Sequence, residues 1–527
     1  MGLQFASGDL LLLNGRIYPG PHWDQHTGAL SIEDGVVTAH GQQALDRKSR
    51  FSPDQVVDLG NSIVLPGFID SHLHLTSLAQ SLTQLSFQES TGAEEIQRLV
   101  QQQADHAAPG EWVVGGSWSR HTLNGFPDKS LLDQVAPDNP VALHSKDLHS
   151  ILLNSVALRQ LDIDSGTSDP AGGEIMRDAS GEPTGLLLEN AVYLYEDRRP
   201  RPDSDEFRRQ HQRVSAHCWK HGITGVHAVE LMPDWNYYEQ LHERGELGLR
   251  VGGLLPVEEL DEISWRGYRS GQGDNALWIV GIKIYADGAL GSCTAWMKEP
   301  YTDSDDRGVA LKSGEEIVGC IRRSHEAGLS VGVHAIGDAA VLQTLTALRA
   351  NSSRDVEVLL DRIEHFQLID PGDFKVIPEN LIGAVQPSHL PGDRDDADRV
   401  WGTRSRYAYA FRSLRSNGVT LSFGSDAPVE DVDPWKGIQA AVDRRGSAER
   451  APWHPEERIS LEEALTAYTY HSGIAGYRKG RHGSLQVGAF GDAVVLSGDP
   501  WKVPSSGLAT TRPAMTIVNG CIVFSNE

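Results

Sequence analysis

In the stretch VLPGFIDSHLHL, residues 64–75, two histidines stand two positions apart at the end of an apolar run. Alternate residues of an extended strand face the same side, so His72 and His74 would turn both imidazoles into one space. Paired imidazoles suit a divalent metal, although an isolated His-x-His also reads as a satisfied polar pair. Further along, His334, His365 and Asp426 each stand where an apolar run breaks, in LSVGVHAIGD, DRIEHFQL and VTLSFGSDAP, and Lys283 lies inside WIVGIKIYADG. If these ends share one mouth, they make a metal centre. Its ligands would be nitrogen and oxygen, because the four cysteines, Cys218, Cys293, Cys320 and Cys521, are widely spaced and include no CxxC pair.

Two of these residues carry alternative readings. Lys283 sits among Trp278, Ile279, Val280, Ile282, Ile284 and Tyr285, where an unpaired ammonium is costly. Either it pairs with a carboxylate such as Asp287, or burial drives it neutral and it takes up carbon dioxide as a carbamate whose two oxygens bridge two metal ions. Asp426 precedes Ala-Pro and could simply stabilise an Asx-type turn. Beside three histidine-bearing strand ends, it reads instead as a metal-adjacent carboxylate that accepts a proton from water and passes it to a leaving group.

Positioning such groups requires elements that end together. The apolar runs SIVLPGFID, EWVVGGSW, GITGVHAV, WIVGIKIYADG, LSVGVHAIGD, DRIEHFQL, LIGAVQP and VTLSFGSDAP alternate with helical patterns such as 312–327 and 338–350. Some eight repeats of strand then helix predict an α/β fold, a closed (β/α)8 TIM barrel at residues 63–475, with an open doubly wound sheet as the runner-up. Active sites in such barrels lie at the strands' C-terminal ends. Short β-runs with Asn-Gly and Asp-Gly turns at 1–62 and 476–527 predict one small β-sandwich domain assembled from both chain ends. The segment from about 119 to 221 is too long for one crossover and reads as a lid-like insertion with a hairpin in AGGEIMRDASGEPTGLLLENA. Residues 391–407 read as a charged loop, either a solvated connection or a gate.

The composition is that of a globular chain, with 39% hydrophobic and 23% charged residues among 527. A net charge of −25 argues against a nucleic-acid surface. The N-terminal LLLL is too short to span a bilayer and lacks a basic flank, so the reading is cytoplasmic, with no membrane partner.

Together, PGFIDSHLH, IKIYADGALGS, VHAIGD, RIEH and FGSDAPVE resemble the amidohydrolase superfamily, and more narrowly its YtcJ-like branch, which includes N-substituted formamide deformylases. The likeness runs from about residue 9 to 523. It implies a metal-dependent hydrolase with two divalent ions, zinc before manganese or iron. His72 and His74 would hold the first ion and His334 and His365 the second. Carboxylated Lys283 would bridge them, and Asp426 would ligate the first ion and serve as general base and acid. The implied reaction is attack of a metal-activated hydroxide on the carbonyl of a small-molecule amide: an N-acyl amine, a formamide or a cyclic amide. His149 matches a position near the substrate carbonyl, where it would stabilise the oxyanion, with a core or lid role as the alternative. Trp118 matches a pocket aromatic, and Trp296 is a second aromatic against which an apolar group could rest. Asp70 would orient a neighbouring histidine or cap a turn.

The chain departs from the family pattern at Cys293, where arginine is frequent, at Leu148 in place of glycine, and at Ser117, Trp118, Ser119 and Arg120. None of these is a ligand position, and all bear on substrate choice. An esterase or a one-metal deaminase on the same fold is the alternative activity, and a non-catalytic barrel assembly protein the alternative class. A homodimer is compatible with all of them.

Overall fold

The computed structural model describes residues 7–87, 90, 92–118, 123, 125–170, 172–199, 201–351, 359–447 and 449–526. Its centre is an eight-stranded parallel sheet of β1 (Phe68–Leu73), β2 (Ile223–Val229), β3 (Arg250–Pro256), β4 (Leu277–Tyr285), β5 (Val331–Ala335), β6 (Arg362–His365), β7 (Ile382–Val385) and β8 (Thr420–Phe423). Each strand pairs with the next in chain order. The ring closes just beyond β8, where the Asp426 N–H donates to His72 O at 2.7 Å and the His74 N–H to Ala427 O at 2.9 Å. Burial on both faces makes these strands nearly continuous apolar runs. Among the helices between them, Gly314–Glu326 is amphipathic: it buries Ile317, Ile321 and Ser324 on one face and is closed by a Ser313/Glu316 capping box.

One of the eight strands differs from the sequence reading. Val113–Trp118, within EWVVGGSW, is not in the barrel; it pairs with Val141–Ser145 and Leu85–Ser86. The barrel uses RVGGLLP instead. That segment lacks a clear strand signature because two adjacent glycines interrupt it, and the packing requires both: a Cβ at Gly252 would lie 2.8 Å from the Trp278 ring, and one at Gly253 2.5 Å from the Trp235 ring. A short apolar run looks alike in either sheet, and only its partners distinguish them.

The inserted sheet is accordingly wider than residues 119–221 suggest. Its order is Gly173–Arg177, Pro183–Glu189, Ser150–Leu153, Val141–Ser145, Val113–Trp118 and Leu85–Ser86. The first two strands form the hairpin, turned by Asp178, whose Oδ1 accepts the N–H groups of Ser180 and Glu182. The helix Ser204–Lys220, within the expected insertion, leads directly into β2 as a barrel crossover. Residues 391–407 are not a loop either: Leu390–Trp401 is helical, with Pro391 in its first turn and Leu390, Ala397, Val400 and Trp401 buried. Proline is tolerated there because a first-turn N–H has no intrahelical acceptor. Asp395, Asp398 and Arg399 face solvent, whereas Asp393 and Asp396 line the cavity.

The chain ends share one eight-stranded sheet. Ile63–Pro66 is its seam, parallel to Leu10–Ile17 on one side and antiparallel to Ala493–Leu496 on the other. Along Leu10–Leu13 the even residues join one apolar cluster and the odd residues another, so both faces are covered. Among the described residues, no helix is long and apolar enough to cross a membrane.

Closure of the barrel depends on one residue without a side chain. A Cβ at Gly424 would lie 2.5 Å from the His72 backbone nitrogen and 2.9 Å from Asp70 Oδ1. Gly424→Ala is expected to push β8 from β1 and destabilise the fold by about 1–3 kcal/mol. Urea unfolding measures this, and an unchanged midpoint would contradict it.

Candidate active site and metal centre

His72 is the fifth residue of β1, His74 follows its end, and Asp426 follows β8. Closure of the barrel brings them together: His72 Nε2 and His74 Nε2 each lie 3.3 Å from Asp426 Oδ1. The His365 ring centroid is 5.1 Å from that of His72 and 4.5 Å from that of His334. Asp426 and His365 both have left-handed backbones, with φ of 60° and 67°. Such conformations are sparse for non-glycine residues and persist where surrounding structure holds them. At His365 the turn has a direct consequence. Glu364 faces the barrel interior, so in a regular strand its neighbour would face outward; the reversal lets both side chains reach the same space.

Lys283 is 1% exposed and stands in the same cavity wall. Burial brings its ammonium down to about 8. Asp287 is not its partner: that carboxylate accepts the N–H groups of Trp296 at 2.9 Å, Ile336 at 3.1 Å and Gly337 at 2.8 Å. The Lys283 ammonium sits 4.8 Å from the Tyr285 ring centroid.

The donor set fits a cation. Glu364 accepts the Nδ1 proton of His72, which leaves Nε2 as a lone pair facing the Asp426 carboxylate. Both His72 Nε2 and Asp426 Oδ1 are buried without a hydrogen-bond partner. Two acceptors 3.3 Å apart repel unless positive charge lies between them. His334 Nε2 lies 3.0 Å from the Gly288 carbonyl, which can only accept, so its Nδ1 is likewise left as a lone pair. Burial drives His74, His334 and His365 below the ordinary imidazole range. For Asp426 burial works the other way, and the neighbouring imidazoles of His72 and His74 outweigh it, holding the carboxyl well below its usual range. Burial and Lys283 would lower His72 as well, but the Glu364 and Asp426 carboxylates outweigh them and raise it, so positive charge between Nε2 and Asp426 is favoured; a divalent ion supplies that charge when the imidazoles around an ionised carboxylate are neutral.

The inserted sheet roofs this centre and completes a cavity of about 660 Å³. Lys146 on the roof pairs with Glu430 beyond β8 at 2.5 Å. His149 holds its ring 5.6 Å from that of His334, tilted by 51°, and donates Nδ1–H to Glu189 at 2.6 Å. Burial disfavours the imidazolium, but the Glu189 charge outweighs it and lifts His149 to about 9. Trp118 is 1% exposed, lines the cavity and donates Nε1–H to Leu143 O at 2.8 Å.

A model of the amidohydrolase family matches residues 55–524. The chain belongs to that family. This amidohydrolase is 32% identical to the putative amidohydrolase YtcJ of Bacillus subtilis, over 97% of the chain and 99% of the relative. It is 26% identical to the N-substituted formamide deformylase of Arthrobacter pascens, over 98% of each. These two matches put it in the YtcJ-like branch. Among solved structures it resembles an uncharacterized metal-dependent hydrolase from Pyrococcus horikoshii, with a TM-score of 0.79 and 25% identity over 94% of this chain and 99% of that one. The amidohydrolase is therefore a hydrolase, and His72, His74 and Asp426 form its compact candidate metal site, with ligand atoms all within 4.8 Å of one another.

Not every anticipated residue of this amidohydrolase faces the cavity. Trp296 is absent from its described lining; its N–H serves Asp287, its carbonyl lies 2.0 Å from where a Gly337 Cβ would be, and its partly buried side chain packs against the main apolar core. Asp70 is buried and accepts the main-chain N–H groups of His72 at 3.1 Å and Ser425 at 3.0 Å. It fastens β1 to the end of β8 and acts on His72 through the backbone rather than the ring. Three residues escaped the sequence reading. Glu364 was marked only by its spacing from Arg362, two charges on one face of a buried strand. Glu189 left no local signal. His389, whose Nε2 is 3.7 Å from Asp426 Oδ2, stands four residues past the end of β7.

The His149–Glu189 pair predicts a pH dependence. A folded value near 9, against 6.5 unfolded, means that the pair's stabilisation is full below about pH 6.5 and is lost as pH rises through about 9. Melting curves of wild type and Glu189→Gln should therefore differ most near pH 6 and converge toward pH 10. A constant gap would mean that His149 is neutral throughout.

Proposed function

We propose that this amidohydrolase cleaves a carbon-nitrogen amide bond with divalent metal ions, zinc first. One ion would rest on His72, His74 and Asp426, a second on His334 and His365, with carboxylated Lys283 between them. The observation that carries this reading is the meeting of His72 Nε2 and Asp426 Oδ1 as unpartnered lone pairs 3.3 Å apart, with His365, His334 and Lys283 in the same cavity. When bound, such ions supply positive charge that polarises the substrate carbonyl and makes water nucleophilic near neutral pH.

The chain's own groups do the rest. Asp426, ionised at the barrel mouth, takes a proton from the attacking water and returns it to the departing amine nitrogen. His149, protonated at neutral pH, offers an N–H to the carbonyl oxygen as charge develops there. The roof keeps bulk water from the site and, through Trp118, gives the substrate an aromatic wall. Similarity to the formamide deformylase supports trying formamides early. The compactness of the His72, His74 and Asp426 cluster favours a second reading, a one-ion hydrolase or deaminase.

The deciding experiment is a panel of N-acyl amines, formamides, cyclic amides and aryl esters, with metal content measured on the same sample. Amide turnover with close to two ions per chain supports the proposal. Ester turnover alone, or full activity with one ion, replaces it with an alternative.

A further inference from the structure

We infer that the buried Arg362–Glu364 pair is a positioning device for His72: Glu364 fixes the ring proton on Nδ1, so that Nε2 is held toward Asp426 as a ready ligand. This rests on the reading of His72 as a metal ligand. Arg362 and Glu364 are both fully buried on β6, two residues apart and therefore on one face. The face is the barrel interior, because their partners lie on strands that are not neighbours of β6. Glu364 meets the ring of His72 on β1. Arg362 Nη1 lies 3.1 Å from His227 Nδ1 on β2, Nη2 donates to Ser71 O on β1, and Nε pairs with Glu364 Oε1 at 2.5 Å. A guanidinium held at three points leaves its carboxylate partner little freedom.

The neighbouring strand has made room for this arrangement. A Cβ at Gly332 on β5 would lie 2.6 Å from Glu364 Oε1. Stability alone does not account for the pair, since a buried ion pair replaced by well-packed apolar residues often leaves a protein equally or more stable. What an apolar replacement cannot do is choose a tautomer. With Nδ1–H donated to a carboxylate, the imidazole becomes a stronger and better-aimed Nε2 ligand, the arrangement that metal-binding histidines ordinarily require.

The test is zinc affinity, read by competition with a chromophoric chelator, together with the visible spectrum of the cobalt-substituted protein. Glu364→Gln is expected to lower zinc affinity about 10–100-fold and to alter the cobalt bands, because Arg362 competes for the single amide oxygen and His72 loses its acceptor. Wild-type affinity with an unchanged spectrum would overturn the inference. If that variant fails to fold, the double variant Arg362→Met, Glu364→Met removes both charges and the Nδ1 acceptor together at similar volume, with the same loss expected and the same result overturning it. The wild-type protein gives an independent answer: a zinc-loaded crystal structure should show His72 ligating through Nε2 with Nδ1 on Glu364, and ligation through Nδ1 would overturn the proposal. His72→Ala separates the two levels. If it binds zinc as wild type does, the ligand reading itself fails; if it loses zinc while Glu364→Gln does not, only the positioning role fails.

Discussion

Asp426→Asn should retain its metal and lose nearly all turnover, with kcat reduced about 10²–10⁴-fold, the usual contribution of a positioned general acid or base. Asparagine has the shape of aspartate and keeps an oxygen where Oδ1 faces His72 and His74, 3.3 Å from each. It cannot accept a proton from water or return one to the amine. KM should change little, since nothing in the cavity's shape has altered. Turnover and metal content measured on one preparation check the prediction. Loss of the metal with the activity would make Asp426 chiefly a ligand, and activity within tenfold of wild type would remove it from proton transfer.

Chelation should abolish turnover and lower the melting temperature by several degrees, and about two equivalents of zinc per chain should restore both. An ion that binds only the folded chain stabilises it by about 2.7 kcal/mol at a free concentration one hundred times its Kd. Its removal also leaves the lone pairs of His72 Nε2 and Asp426 Oδ1 opposed in a buried space. Acidification should mimic the chelator, because protonated imidazoles cannot ligate. Calorimetry with and without chelator measures the shift. Metal-free protein that kept both its activity and its melting temperature would end the proposal.

The convergence of His72, His74, Lys283, His334, His365 and Asp426 was legible because barrel topology gives each such residue the same address, the C-terminal end of a parallel strand. Residues that act through other residues were harder to see. Glu189 reaches His149 from 40 positions away, and Glu364 reaches His72 from 292. No local periodicity encodes contacts at such separations. Trp296, absent from the described lining, shows the converse limit: an aromatic next to a motif carries no information about which side of a wall it occupies.

The amino-acid sequence alone determined the repeating strand-and-helix architecture, the types of the candidate ligands and their placement at strand ends, because alternation, breakers and charge are local properties that survive without a partner. Tertiary structure decided which apolar run entered the barrel, since RVGGLLP is a strand only where Trp278 and Trp235 fill the space of its absent side chains. It also decided which way burial and neighbouring charge push the buried imidazoles, and which acceptors His72 and His334 meet. Those depend on burial and on carboxylates such as Glu364, and distances of that kind exist only once the ring of strands has closed.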